Sequence, residues 1–163
     1  MNISSKILTA SKLVTRLDKI RKSGKKIVFT NGCFDILHVG HVRYLTAAKS
    51  LGDLLVVGLN TDASVRLIKG HKRPIVKQDQ RAEVLAGLWS VDYVILFDEP
   101  DPLALIQTLK PDVLVKAEDW SEENIIGAEF VKSRGGDVVR ISLVPEASTS
   151  GIIQKILETF RGS

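Results

Sequence analysis

Two of the chain's three histidines, His38 and His41, fall within four residues of each other, just after a polar, glycine-containing stretch. The segment reads Phe29-Thr30-Asn31-Gly32-Cys33-Phe34-Asp35-Ile36-Leu37-His38-Val39-Gly40-His41. On the first turn of a helix, positions i and i+3 project to one side, so both imidazoles can offer N–H donors to one bound group. Backbone N–H groups of a turn, together with the unsatisfied N–H groups of a helix start, form an anion site. Gly40 removes a side chain where backbone and ligand would approach closely. Phosphate suits this chemistry. A metal site is the competing reading for a histidine pair, but no nearby Glu or Asp completes a ligand set of the usual zinc type. Near the far end, Ser148-Thr149-Ser150 opens the last helical stretch. Three hydroxyls and free N–H groups at a helix start suit phosphates, and an ordinary N-cap is the plainer alternative.

The elements that must position these groups alternate along the chain. Strands are expected at Lys26–Thr30, Leu54–Asn60, Tyr93–Phe97, Val113–Lys116 and Asp137–Ile141. Most are continuous apolar runs, as in strands buried on both faces of a parallel sheet. Helices are expected at Val39–Ser50, Asp62–Leu67, Gln78–Trp89, Pro102–Leu109, Glu122–Ser133 and Ser150–Phe160, with an N-terminal helical extension within residues 1–24. Ser121 can cap the fifth of these, and Gly135-Gly136 can end it. Asp101-Pro102 reads as a cap followed by proline at the first helical position. The βαβ alternation implies right-handed crossovers and one α/β domain, a doubly wound five-stranded parallel sheet with flanking helices. Ligands of such sheets sit beyond the carboxyl ends of the strands, at the switch point.

Composition narrows the function classes. The chain has 163 residues, 44% hydrophobic and 26% charged, with 23 Lys+Arg against 19 Asp+Glu, a net charge of +4 and one cysteine. That length can bury a sizeable core as one domain. One cysteine excludes an internal disulfide and favours a reducing cytoplasm. No signal peptide is read, and the longest apolar run, Leu54 to Leu59, falls far short of the roughly 20 residues of a membrane span. The positive charge admits nucleic acid, an anionic membrane surface or a phosphorylated small molecule. No aromatic-interleaved basic strand and no helix dense in Lys and Arg supports the first. A stripe of Leu8, Leu13, Leu17 and Ile20 is read as covering the domain's own core rather than a membrane surface. Walker A and Rossmann glycine fingerprints are missing.

The segment His38-Val39-Gly40-His41 resembles the HxGH signature of the nucleotidyltransferase superfamily of cytidylyltransferases and small adenylyltransferases. Gly32-Cys33-Phe34-Asp35 is similar to its G-x-F-D element, and Ser148-Thr149-Ser150 to its second Ser/Thr motif. Phe29–Leu45, Gly58–Ser64, Lys69-Gly70, Arg73-Pro74-Ile75, Gln80-Arg81, Val91–Val94 and Gly135–Val138 run in the order of the ADP-heptose synthases, a Rossmann-like nucleotidyltransferase fold. The chain resembles their stand-alone form, without the fused sugar kinase.

The resemblance implies transfer of AMP from ATP to D-glycero-β-D-manno-heptose 1-phosphate, releasing pyrophosphate, with Mg²⁺ bound mainly through the triphosphate. It makes His38 and His41 catalytic donors. Thr30, Asn31, Gly32, Cys33, Phe34, Gly40, Lys116, Asp119, Ser148, Thr149 and Ser150 become nucleotide- or phosphate-binding. Asp62, Lys69, Arg73 and Arg81 fall to the sugar phosphate, with Lys69 to Pro74 as a mobile flap, whereas Asp35 braces the turn. Read by itself, Arg81 is a helical arginine on a solvated face, beside Val84, Leu85 and Leu88 on an apolar side. Cys33 is taken as a small space-filler, and Trp89 and Trp120 are divided between core and pocket edge. A homodimer and a separate upstream sugar kinase are implied partners.

Two alternatives stay open. Heptose-specific relatives show Lys-Gly-Gly-Asp-Tyr where this chain has Lys116-Ala117-Glu118-Asp119-Trp120. The Asp119-Trp120 pair is similar to that of cytidylyltransferases using CTP and glycerol 3-phosphate. A non-catalytic nucleotide-binding module is the other, although it would have no need of the histidine pair.

Overall fold

A computed structural model describes residues 2–119, 121–142, 145 and 147–161. Trp120, expected at a pocket edge or in the core, lies outside the described residues. Five strands, β1 (Ile27–Gly32), β2 (Leu54–Asn60), β3 (Tyr93–Phe97), β4 (Val113–Ala117) and β5 (Asp137–Ile141), form one parallel sheet in the order β3-β2-β1-β4-β5. The chain works outward from β1 through β2 to β3, then returns to the other side of β1 for β4 and β5. The switch point therefore lies between β1 and β4.

Side chains alternate between the two faces of a strand, and this sheet buries both. On one face α2 (Val39–Lys49) and α4 (Gln78–Gly87) set Tyr44, Leu45, Ala48, Ala82 and Leu85 against Val28, Leu55 and Val57. On the other, α1 (Ala10–Arg21), α5 (Leu103–Leu109) and α6 (Ala128–Ser133) set Leu13, Leu17, Ile106, Leu109 and Val131 against Ile27, Phe29, Val56 and Leu114. Two-sided burial is why these strands read as continuous apolar runs. α3 (Asp62–Lys69) follows β2, and α7 (Thr149–Phe160) closes the described chain without one buried residue. The N-terminal segment covers the β3 edge: Ile7 bridges Val94, and the Lys6 ammonium donates to the Val91 carbonyl at 2.7 Å. No helix among the described residues is long and apolar enough to cross a membrane.

Several expectations are corrected. β1 runs on to Gly32, so Asn31 and Gly32 are ladder residues paired with Gly58 and Leu59 rather than members of a free turn. The helix expected over Glu122–Ser133 is a 3-10 turn, Glu122–Asn124, and then α6, because Gly127 adopts φ +88 and breaks the run. Pro102 caps α5 instead of opening it. α4 buries Arg81, Ala82, Leu85 and Ala86, whereas Val84 is 51% exposed, so its inward face is rotated from the one expected. Trp89 belongs neither to the core nor to the cavity lining; it is 72% exposed.

Candidate active site

The carboxyl ends of β1 and β4 open into a cavity of about 520 Å³ whose walls also come from α2, α3, the residues after β3 and the start of α7. At its centre stands the histidine pair. His38 is the N-cap of α2, and its Nδ1 accepts from the Gly40 N–H at 3.2 Å, which leaves the imidazole proton on Nε2. His41, one turn on, stacks against it with centroids 3.9 Å apart and planes at 29°, and its Nδ1 is buried without a hydrogen-bond partner among the described residues. Burial, aided by the neighbouring His38, pushes His41 down to about 4. Burial lowers His38 as well. Both shifts favour neutral rings at physiological pH, each with one N–H to donate rather than a full positive charge. Gly40 lets them stack, since a Cβ there would lie 2.9 Å from two atoms of the His38 ring.

The segment after β1 is held from below. Phe34 takes a left-handed φ of +43, a conformation that neighbouring contacts must sustain. Asp35, with a fully buried carboxylate, accepts from the backbone N–H groups of Ile75 (2.8 Å) and Val76 (2.9 Å) and from Arg73 Nε (2.5 Å). Burial raises its pKa, but the backbone bonds from Val76 and Ile75 and the Arg73 pair outweigh that and hold it below the usual carboxylate range. Burial pushes the Cys33 thiol up in spite of Lys69, Arg81 and Arg73 nearby, as befits a space-filler rather than a nucleophile. From β4, Lys116 Nζ donates to Asn31 Oδ1 at 2.6 Å across the switch point, and burial lowers it to about 8. Opposite, Ser148 Oγ accepts from the Gly151 N–H at 3.0 Å as the α7 N-cap, and the Thr149 hydroxyl donates to the Ile36 carbonyl. Ser148 thus serves as the N-cap of the plainer reading, and all three residues of the triplet line the cavity.

Matched against known families, residues 29–153 fit the model described as cytidylyltransferase-like. The chain belongs to the cytidylyltransferase-like family. As a member it is a nucleotidyltransferase domain, and the matched residues run from within β1 into α7, taking in every residue that lines the cavity. The chain is 55% identical over 156 residues, 96% of its length, to the Bifunctional protein HldE of Citrifermentans bemidjiense. It is 54% identical over 140 residues to that of Geobacter sulfurreducens. It spans about a third of these curated relatives, 32% and 29% respectively. Among solved structures, a lipopolysaccharide core biosynthesis protein from Thermoplasma volcanium is similar at a TM-score of 0.60 and 32% identity, over 74% of this chain and 98% of that one. Pantoate-beta-alanine ligase from Francisella tularensis shares the fold at a TM-score of 0.57 and 18% identity, over 95% of this chain and 78% of that one.

The cytidylyltransferase-like cavity gathers most residues singled out from the sequence: His38, His41, Asn31, Gly32, Cys33, Phe34, Gly40, Lys69, Arg73, Lys116, Asp119, Ser148, Thr149 and Ser150 all line it. Thr30, Asp62 and Arg81 do not. Thr30 is fully buried, its hydroxyl 2.8 Å from the Tyr44 hydroxyl. Arg81 is 1% exposed, which overturns the solvated-face reading. Its guanidinium donates to the carbonyls of Val76 (2.9 Å), Cys33 (2.5 Å) and Asn60 (2.9 Å) and to Asp62 Oδ1 (2.8 Å), cross-linking the ends of β1 and β2 to α3 and the loop before α4. The cavity also includes residues that motif reasoning passed over, among them Tyr44, Asn60, Ile68, Pro100, Asp101, Pro102 and Ile126. A signal existed for Asn60 and the 100–102 stretch, which sit at or just beyond carboxyl ends of expected strands, where ligands of such sheets collect.

Proposed function

We propose that this chain transfers AMP from ATP to D-glycero-β-D-manno-heptose 1-phosphate, forming ADP-heptose and pyrophosphate. The observation carrying the reading is the stacked, neutral His38–His41 pair set between the end of β1 and the hydroxyl-rich start of α7 at the switch point. An acceptor phosphate oxygen is already anionic, so the reaction asks no base for a proton. That oxygen bonds to the α-phosphorus, the bond to the bridging oxygen breaks, and its electron pair leaves on pyrophosphate. Catalysis then rests on placing the two ends in line and meeting the charge that develops on the phosphoryl oxygens. His38 and His41 would donate to those oxygens. Gly32 to Phe34, Lys116 and Ser148 to Ser150 would hold the triphosphate, and Asp119 would accept from ribose hydroxyls. Lys69 and Arg73 would receive the sugar phosphate, while Asp62 and Arg81 would support that region from behind.

No three or more His, Cys, Asp or Glu converge among the described residues. The donor set lining the cavity, imidazoles, hydroxyls and Lys and Arg side chains, fits a triphosphate carrying its own ion. Mg²⁺ would ride on phosphate oxygens and water, supplying charge neutralisation at the α- and β-phosphates. The sugar choice draws on the motif order shared with ADP-heptose synthases and on the solved relative described as a lipopolysaccharide core biosynthesis protein. A sugar kinase supplying the heptose 1-phosphate, a second copy of the chain as partner and a cytoplasmic setting belong to the same reading.

A pyrophosphate-release assay over ATP and CTP, each against heptose 1-phosphate and glycerol 3-phosphate, tests it. ATP with heptose 1-phosphate is expected to be the productive pair. Turnover confined to CTP with glycerol 3-phosphate would make the chain a polyol-phosphate cytidylyltransferase. No release with any pair would leave a binding module.

A further inference from the structure

Asp35 has no unfilled role as a substrate ligand: its buried carboxylate is spent on Ile75 N–H, Val76 N–H and Arg73 Nε. All three partners lie in one segment, about 40 residues away in sequence, between α3 and α4. Arg81 grips the same segment from the other side. It accepts nothing and donates to the Val76 carbonyl while also donating to the Cys33 carbonyl. The Val76 residue is thus held at its N–H by Asp35 and at its C=O by Arg81, and both tethers end on residues 33–35, directly before the histidine pair. By contrast, the other end of the loop is open. Gly70 has a φ of +90 with nothing within 4 Å of a would-be Cβ, and Gly70, His71 and Lys72 are exposed. The loop is a basic arm clamped at one root and exposed at the other.

The clamp also sets the guanidinium of Arg73. Its Nε is committed to Asp35, and its two terminal nitrogens have no hydrogen-bond partner among the described residues, although the side chain lines the cavity. A fork held by Nε presents both terminal nitrogens on one edge, the geometry of bidentate phosphate binding. Lys69, at the end of α3, lines the same cavity.

We propose that Asp35 is a positioning residue for acceptor capture: it ties the segment after β1 to the 69–77 loop and presets the Arg73 fork for the phosphate group of the acceptor. The inference rests on the proposed reaction for the identity of that acceptor, and on geometry alone for the phosphate. Asp35→Asn keeps the shape but loses the charge and one of the two accepting oxygens. The carboxylate's own partners, Arg73, Ile75 and Val76, all lie in the 69–77 loop, so the acceptor side is expected to feel its loss more than the nucleotide groups on β4 and α7.

Three readouts on the whole chain test it, with far-UV circular dichroism confirming that each variant is folded. Trypsin cleavage between Lys69 and Lys77 is expected to speed at least tenfold in Asp35→Asn. Affinity for inorganic phosphate, titrated without nucleotide, is expected to weaken about tenfold in both Asp35→Asn and Arg73→Ala, with the double variant little worse than either. In turnover, the acceptor KM is expected to rise about tenfold or more while the ATP KM stays within threefold. Equal rises in both KM values, or additive losses of phosphate affinity in the double variant, would overturn the proposal, as would a wild-type chain whose phosphate affinity ignores Arg73. If phosphate capture follows Asp35 and Arg73 but no pair of substrates turns over, this inference stands and the proposed reaction falls. If the wild type makes ADP-heptose and Asp35→Asn leaves phosphate affinity untouched, the reverse holds.

Discussion

Replacing Arg81 by leucine separates a structural cross-link from a substrate ligand, two roles with opposite thermal signatures. The guanidinium side chain is fully buried and makes four hydrogen bonds, to Val76, Cys33, Asn60 and Asp62. Leucine leaves the Asp62 carboxylate, 23% exposed, able to rehydrate at small cost. The Asn60 carbonyl, in a residue 3% exposed, loses a donor that water cannot easily replace. An unsatisfied buried acceptor costs roughly 1–3 kcal/mol. One fully buried carbonyl and two partly buried ones together come to about 4 kcal/mol, within the roughly 3–5 kcal/mol typical of breaking a buried ion pair from one side. Against a total stability of about 5–15 kcal/mol, that is a large fraction. At roughly 2–4 °C per kcal/mol for a domain of this size, the Tm should drop by about 8–16 °C. Thermal unfolding followed by far-UV circular dichroism at pH 7.5 measures it, and Arg81→Lys should fall between, since an ammonium replaces the charge but not the fork. If Arg81 were instead held ready for phosphate, its removal would relieve a buried charge and leave Tm unchanged or higher. A drop of less than about 3 °C refutes the cross-link.

Two further substitutions probe the histidine pair. His41→Gln should lower kcat roughly 10²–10³-fold, the usual loss for one preorganised donor, with the fold retained; a rate within a few-fold of wild type would remove His41 from the chemistry. The same variant carries a pH signature. Because the folded value of His41 is pushed below its ordinary 6.5 to about 4, the unfolded chain binds the proton first, and wild-type stability should fall as pH drops from about 6.5 toward 4. Urea melts at pH 7.5, 6.0 and 5.0 should show a shallower decline in His41→Gln, and parallel declines would contradict it. Gly40→Ala places a Cβ 2.9 Å from His38 Cε1 and Nδ1 and 3.3 Å from the Ala147 Cβ. It should cost kcat at least about tenfold through displacement of the His38 ring, in line with the sensitivity of catalysis to small misplacements. An active enzyme with unchanged parameters would show that the close stacking is dispensable.

Much of the scaffold was legible because it depends on local pattern. Leu54–Asn60, Tyr93–Phe97 and Asp137–Ile141 stand where their apolar or β-branched runs placed them, and the parallel sheet follows from their alternation with helices. The candidate site was legible to the extent that it is built from short motifs. His38 and His41 share a helix turn, and Ser148 caps a helix, so spacing alone brings their groups together. The 3-10 turn and break at Gly127 escaped because a glycine's handedness is decided by what packs around it; a Cβ there would lie 2.6 Å from Ile106. Trp89 escaped because an apolar residue in a helical pattern gives no sign of which way the element faces.

By itself, the sequence determined the chemistry on offer: two imidazoles, a glycine between them, a hydroxyl triplet and a strand-turn-helix frame to hold them. Only the tertiary structure decided which polar groups are tools and which are mortar. Arg81 and Asp35 carry charges that suit a phosphate site equally well on paper, yet both are consumed by partners 5 to 48 residues away, all but one of them 19 or more. Arg73 keeps its terminal nitrogens at the cavity because Asp35 takes only its Nε. The reason is general. Spacing along the chain fixes which side chains share a turn or a face, but a buried charge must find its partners wherever the fold brings them, and those distances are set only when the sheet closes its crossovers.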